Sequence, residues 1–216
     1  MGTLLVVRHG RAEGNTVHRL IGQSDTPLDE LGRRQAERLA DRLARLGVTR
    51  IISSDLSRAV DTVRPLAARL GLEPATDPRL REIDNGEWTG LLPDEIVERW
   101  PDLWRSYASG IDVARPGGER WADVRARVRA FLRDLGEPDG VTVIATHGGP
   151  SLLIVEWALG ISLPGNVFAG VVQSPDNASV TTILLPGPRL VGYNDVGHLD
   201  EPVPDTTPPY APVDDG

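Results

Sequence analysis

The sequence predicts an α/β protein, a three-layer α/β/α sandwich around a largely parallel sheet. Two observations predict it. Short apolar, β-branched runs alternate with longer segments whose apolar residues recur at helical spacing. Gly or Pro stands at nearly every junction between them. The composition is that of an ordinary globular chain: 216 residues, 40% hydrophobic and 25% charged. That length suggests one domain with a core of its own.

The elements follow in order. Residues 3–7 (TLLVV) read as a buried strand. A long loop over residues 8–28 comes next, and long loops inside compact domains are usually functional. Asp29 is placed to cap a helix over about 30–46, where Leu31, Gln35, Leu39, Leu43 and Leu46 recur on one face before Gly47. Residues 48–53 (VTRIIS) form a second strand, and a helix over about 56–70 stops at Gly71. An Arg-rich helix over about 119–135 precedes a strand at 140–146 (GVTVIAT), and a helix over about 150–159 follows it. Residues 178–185 and 189–193 form a closing pair of strands around Pro186-Gly187.

The domain expected is a single one over 1–195, with a small cap insertion near 86–118 that holds Trp88, Trp100, Trp104 and Tyr107. Residues 196–216 are expected to form a Pro-rich acidic tail, disordered or draped over the surface, with five acids and no Arg after His198.

Composition excludes several chemistries. There is no cysteine, hence no thiol nucleophile, disulfide or thiolate metal site. All 23 basic residues are Arg, which excludes a Schiff-base lysine and the lysine of a P-loop. A net charge of −8 argues against nucleic acid as a partner. The first apolar run is too short for a leader or a membrane span, so the expected setting is the cytoplasm, with no membrane partner. The sequence leaves a homodimer open.

In open α/β sheets the ligand lies beyond the carboxyl ends of the strands. Three predicted strands end there in Arg8-His9-Gly10, in Ser53-Ser54-Asp55-Leu56-Ser57-Arg58, and in Thr146-His147-Gly148-Gly149. If these strands are neighbours, two imidazoles and two guanidiniums converge. A phosphoryl group suits that set, because guanidinium forks match its oxygens and N–H groups at a helix start bind anions. Between Arg8 and Arg19 the loop holds Arg8, His9, Arg11, His18 and Arg19 against the single acid Glu13. Hydrolysis of a phosphate monoester also requires a proton for the departing alkoxide. Glu82, Asp84 and Glu87 are all candidates on composition and position. His18 and His198 read as structural residues.

Taken together, Arg8-His9-Gly10 with Asn15, Pro27 to Gly32, Ser53-Ser54 to Arg58, Leu80 to Gly90, Pro116-Gly117-Gly118-Glu119 and Thr146 to Gly149 resemble the histidine phosphatase superfamily, the phosphoglycerate-mutase-like proteins. The resemblance covers roughly residues 3–195 in the right order. It implies a phosphoglycerate-mutase-like fold and a metal-independent phosphomonoesterase that takes a small phosphorylated substrate and no cofactor. It further implies that His9 is the nucleophile, passing through a phosphohistidine. Arg8, Arg58 and His147 would bind the phosphoryl oxygens, Glu82 would donate the proton, and Asn15 would add a phosphate contact. Gly10, Arg11, Gly22 and Gly148 complete the expected substrate-binding set. Neutral His9 should have its other ring nitrogen pinned by a backbone carbonyl.

Two positions depart from the pattern. Ala12 stands where many relatives have Ser or Thr, and Arg11 stands where mutases commonly carry Glu or Gln; Arg11 is read as a candidate either to repair the lost phosphate contact or to select a second anionic group on the substrate. The insertion carries only Arg99 and Arg105 between residues 91 and 110, too few cations to grip a bisphosphate; its aromatics would suit a substrate with an apolar or ring-shaped part, though aromatics in a short insertion are more often small-core packing than substrate contacts. A phosphatase is therefore preferred over a phosphoglycerate-type mutase, and both over a non-catalytic phosphate-binding module.

Overall fold

The computed structural model describes residues 2–13, 19–162, 165–166 and 172–199. The strands are β1 (Gly2–Arg8), β2 (Val48–Ser53), β3 (Ala75–Thr76), β4 (Gly140–Thr146), β5 (Val180–Leu184) and β6 (Arg189–Asp195). The helices are α1 (Glu30–Leu43), α2 (Ser57–Leu70), α3 (Pro93–Arg99), α4 (Pro101–Ala108), α5 (Trp121–Leu135) and α6 (Gly148–Ala158). One sheet runs in the order β3-β2-β4-β1-β5-β6. The β3/β2, β2/β4 and β4/β1 pairings are parallel, while β1/β5 and β5/β6 are antiparallel, so the sheet is mixed.

Period-two burial in the strands makes the three layers. On one face Leu4, Val6, Ile52 and Ile144 pack with Val124, Val128, Phe131, Leu152 and Leu153 of α5 and α6. On the other, Leu5, Val7, Ile51 and Val143 pack with Leu39, Leu43, Val63 and Leu66 of α1 and α2. Asp29 caps α1 as expected, accepting from Gly32 N at 2.7 Å. Gly71 closes α2 at φ +64°, the left-handed conformation that glycine adopts without strain. Helix α6 is buried over its first nine residues because it runs against the sheet's centre; its Glu156 pairs with Arg125 of α5 at 3.1 Å.

Between the central turns and α5, the short helices α3 and α4 each open on proline, whose missing N–H costs nothing at that position. Trp88, Ile96, Trp104, Tyr107 and Val113 form a separate cluster there. Trp88, Trp104 and Tyr107 are buried on one another, with ring centroids 5.5–5.8 Å apart. These three aromatics are the insertion's own core. Small-core packing, the commoner role of aromatics in a short insertion, is the role the structure gives them.

The two-residue strand β3 has no counterpart in the sequence reading, being too short to show periodicity. Residues 200–216, most of the expected tail, lie outside the described residues. No described helix is long and apolar enough to cross a membrane.

Candidate active site

The parallel register decides what meets at the sheet edge. Arg8 pairs with Thr146, and Ser53 with Ala145, so β1, β2 and β4 end together and deliver their next residues to one place. His9 and His147 stand there with ring centroids 5.1 Å apart and planes at 59°. The His9 amide donates to Thr146 O at 2.9 Å, tying the two strand ends.

His9 Nδ1 lies 2.7 Å from Gly10 O. A carbonyl only accepts, so Nδ1 carries the proton and Nε2 keeps its lone pair. The turn that allows this is tight. Gly10 N donates to Thr62 Oγ1, and a Cβ on Gly10 would come within 2.7 Å of Gly32 O. A Cβ on Gly32 would come within 2.0 Å of Arg11 O, so the loop and the start of α1 touch backbone to backbone.

The cations are buried. Arg58, in the first turn of α2, is 1% exposed and donates to Ser24 O at 2.6 Å and Gly22 O at 2.7 Å. Burial is the main cause that lowers its pKa to about 10, against the attraction of Glu82 and Asp25. Arg8 is 7% exposed and donates to Pro175 O. Gly22, at φ +52°, contributes its carbonyl to Arg58 and has no room for a Cβ beside Asn85 Nδ2, 2.9 Å away.

His147 is the N-cap residue of α6, with Nε2 2.9 Å from Ser54 Oγ. Desolvation first, then the charges of Arg58, His9, Arg127 and Arg8, hold its pKa well below the ordinary 6.5. An unfolded chain protonates this histidine near 6.5 while the folded one does not. Its stabilising contribution is therefore fully present above that pH and is lost as pH falls below it. The melting temperature should fall between about pH 7 and pH 5 more steeply in the wild type than in His147→Gln. Equal slopes in the two proteins would contradict a neutral buried His147.

Of the three candidate acids, Glu82 reaches the helix start. Its carboxylate accepts from Ile83 N at 2.9 Å and from Gly149 N at 3.2 Å. Gly149 must be glycine, since a Cβ would lie 2.4 Å from Trp121 Cη2 and 2.6 Å from Glu82 Oε1. Asp84 is spent on its own turn, accepting from Gly86 N at 2.9 Å, and Glu87 is exposed. Gly148 is the first residue of α6.

Arg11 lies elsewhere in its interactions: Nε pairs with Asp29 Oδ2 at 2.5 Å, at the cap of α1. Ala12 is fully buried and bridges to Leu28. Asn15 and His18 lie outside the described residues. His198 is within 3.1 Å of Arg42, in keeping with its structural reading. Ser54, which sequence reasoning places at the strand end without a role, meets His147. Sequence reasoning missed Asn177, whose Nδ2 donates to His9 O at 3.0 Å, and Thr62 and Arg127. None has a local pattern to find it by, because each acts across 50–168 residues or on a backbone carbonyl.

Among the described residues no group of three or more His, Asp or Glu is arranged to hold a metal ion. What the sheet edge offers is positive charge, a helix start and an imidazole lone pair, a combination suited to a tetrahedral oxyanion and to attack on it. The fold and site thus define an α/β protein whose sheet edge is built to receive a phosphoryl group.

Comparison with known proteins narrows that class. The profile of the histidine phosphatase superfamily (branch 1) matches residues 4–195, and the chain belongs to that superfamily. It is 33% identical over 210 residues to a probable phosphoglycerate mutase of an Enterobacter species, covering 93% of this chain and 96% of that one. It is also 33% identical over 206 residues to phosphoserine phosphatase 1 of Hydrogenobacter thermophilus, with the same two coverages. A solved mycobacterial glucosyl-3-phosphoglycerate phosphatase in complex with VO3 superposes with a TM-score of 0.77 at 34% identity, covering 89% of this chain and 98% of that one. The protein is a phosphoric monoester hydrolase of the small-molecule kind.

Proposed function

We propose that this phosphatase hydrolyses its substrate without a metal, through a phosphohistidine formed on His9. The observation that carries the reading is the pinned ring: Nδ1 donates to Gly10 O, so Nε2 is the unprotonated nitrogen of an imidazole that stands beside His147 and the buried guanidiniums. In the first step the Nε2 lone pair forms a bond to phosphorus while the ester P–O bond breaks. Glu82, protonated, gives its proton to the leaving oxygen. In the second step water attacks the phosphohistidine, Glu82 takes the water proton, and inorganic phosphate leaves with His9 neutral again.

Arg8, Arg58 and His147 hold the phosphoryl oxygens throughout, supported by the N–H group of Gly148; Gly10, whose N–H is taken by Thr62 Oγ1, acts through its carbonyl on His9 Nδ1. Asn15 adds a contact, while Gly22 acts through Arg58. Arg11 joins the set only by leaving Asp29. The proposal includes a single domain over 1–195 whose segment 86–118 caps the site, with 196–216 outside it. It also includes a cytoplasmic enzyme, and size-exclusion chromatography tests the homodimer left open above.

A second reading, a phosphoglycerate-type mutase, is favoured by the relative of that name. The insertion weighs against it. Between residues 91 and 110 its cations are Arg99 and Arg105 alone, and Arg105 pairs with Asp102 at 2.8 Å.

The test is phosphate release in EDTA from a panel that includes phosphoserine, glucosyl-3-phosphoglycerate, 3-phosphoglycerate, sugar phosphates, nucleoside monophosphates and an aryl phosphate. Release from at least one ester, undiminished by EDTA and blocked by vanadate, is expected. Transfer of phosphate between positions of a substrate without net release would favour the mutase.

A further inference from the structure

We propose that Arg127 is a positioning residue for the proton-donating step, holding the Glu82 segment so that its carboxyl meets the leaving oxygen. This rests on the assignment of Glu82 as the acid. Arg127 lies in the second turn of α5, and its charge reaches the site histidine His147. Its Nη1 donates to Arg79 O at 2.7 Å and to Arg81 O at 2.6 Å. Its Nη2 donates to Glu82 O at 2.9 Å and to Glu119 Oε2 at 3.0 Å, and Nε donates to Glu119 Oε1 at 2.9 Å. All five guanidinium N–H groups are engaged in one planar fork.

The Glu82 segment needs such a brace. After the 3-10 turn Pro78–Leu80 the chain enters neither strand nor helix until Gly86, so no ladder fixes it. Arg127 supplies a substitute, gripping three carbonyls from Arg79 to Glu82. Its partner Glu119 takes the far side, accepting from Asp84 N at 2.8 Å while its own amide donates to Asp84 O at 2.9 Å. Arg127 and Glu119 together thus fix the backbone on both sides of the acid. Pro116-Gly117-Gly118-Glu119 acts at the site through this pair. Gly118 is required because a Cβ would lie 2.4 Å from Asp84 O.

Leaving-group dependence separates positioning from general bracing. An alkyl phosphate such as 3-phosphoglycerate departs as an alkoxide and needs the proton. An aryl phosphate such as p-nitrophenyl phosphate departs as a stabilised phenolate and does not. Arg127→Lys keeps the cation facing Glu119 but loses the fork, and Arg127→Gln loses both. Glu82→Gln should lower alkyl turnover relative to aryl by about 100-fold, the scale of one general acid. Arg127→Lys should lower the same ratio by about tenfold or more, the scale of a misplaced catalytic group. Added to Glu82→Gln, it should lower the ratio no further. Equal losses on both esters, an unchanged ratio in Arg127→Lys, or full additivity in the double variant would each overturn the proposal. A ratio unchanged in Glu82→Gln alone would instead remove the acid assignment beneath it. Should Arg127→Gln not fold, the lysine series decides the matter by itself.

Discussion

His9→Ala should lower phosphate release by ~10⁴-fold or more, since the removal of a covalent nucleophile leaves only binding and electrostatic catalysis. At 25 °C that is about 5.5 kcal/mol of lost transition-state stabilisation. The fold should persist, for a local reason. The bonds that anchor this turn run through the His9 backbone, from its amide to Thr146 O and from Asn177 Nδ2 to its carbonyl, and alanine keeps both. Among the described contacts, alanine gives up the bond to Gly10 O and a small volume beside His147. Steady-state phosphate release and a thermal melt on the same preparations measure the two halves of this expectation. Activity within tenfold of wild type would show that another group attacks phosphorus. A collapsed melting transition would show that His9 is needed for the fold.

The main layers of the fold were readable because each is carried by local pattern. Strands β1, β2 and β4 are short apolar runs, Asp29 and Gly71 bound their helices, and the α1 and α2 stripes recur at helical spacing. The order of the strands is another matter. Strand β4 lies between β2 and β1, a pairing across some 90 to 140 residues that no local pattern encodes. The prediction of convergence had to assume it.

At the site, Arg8, His9, Arg58 and His147 stood out because charge directly after a buried strand, or a helix start after one, is uncommon. Arg127 did not stand out, since it sits among Arg120, Arg125, Arg129 and Arg133 and reads as one more solvated cation of α5. Only the loop folded against that helix separates it from its neighbours. The aromatics of the insertion were ambiguous for a related reason. Packing on one another and packing on a ligand demand the same residues, and Trp88, Trp104 and Tyr107 do the former.

Arg58→Met carries the second large effect, because this guanidinium is held charged in a place that does not favour charge. Burial pushes its pKa down to about 10, with Arg8 adding to the cost and Glu82 and Asp25 only partly offsetting it. Two carbonyls, Gly22 O and Ser24 O, orient it without neutralising it. A bound phosphoryl group supplies the missing negative charge, and its transition state should gain from a donor already fixed in direction. Methionine fills similar volume and leaves the oxygens uncontacted, so kcat/KM should fall by about 10²–10³-fold. The same argument predicts how ligand acts on stability. Vanadate at 100 times its dissociation constant should stabilise the wild type by about 2.7 kcal/mol through mass action, with a matching rise in melting temperature. In Arg58→Met that rise should largely vanish at the same concentration. A full vanadate shift in the variant would mean that the oxyanion is held by other groups, and that Arg58 serves chiefly to tie residues 22 and 24 to α2.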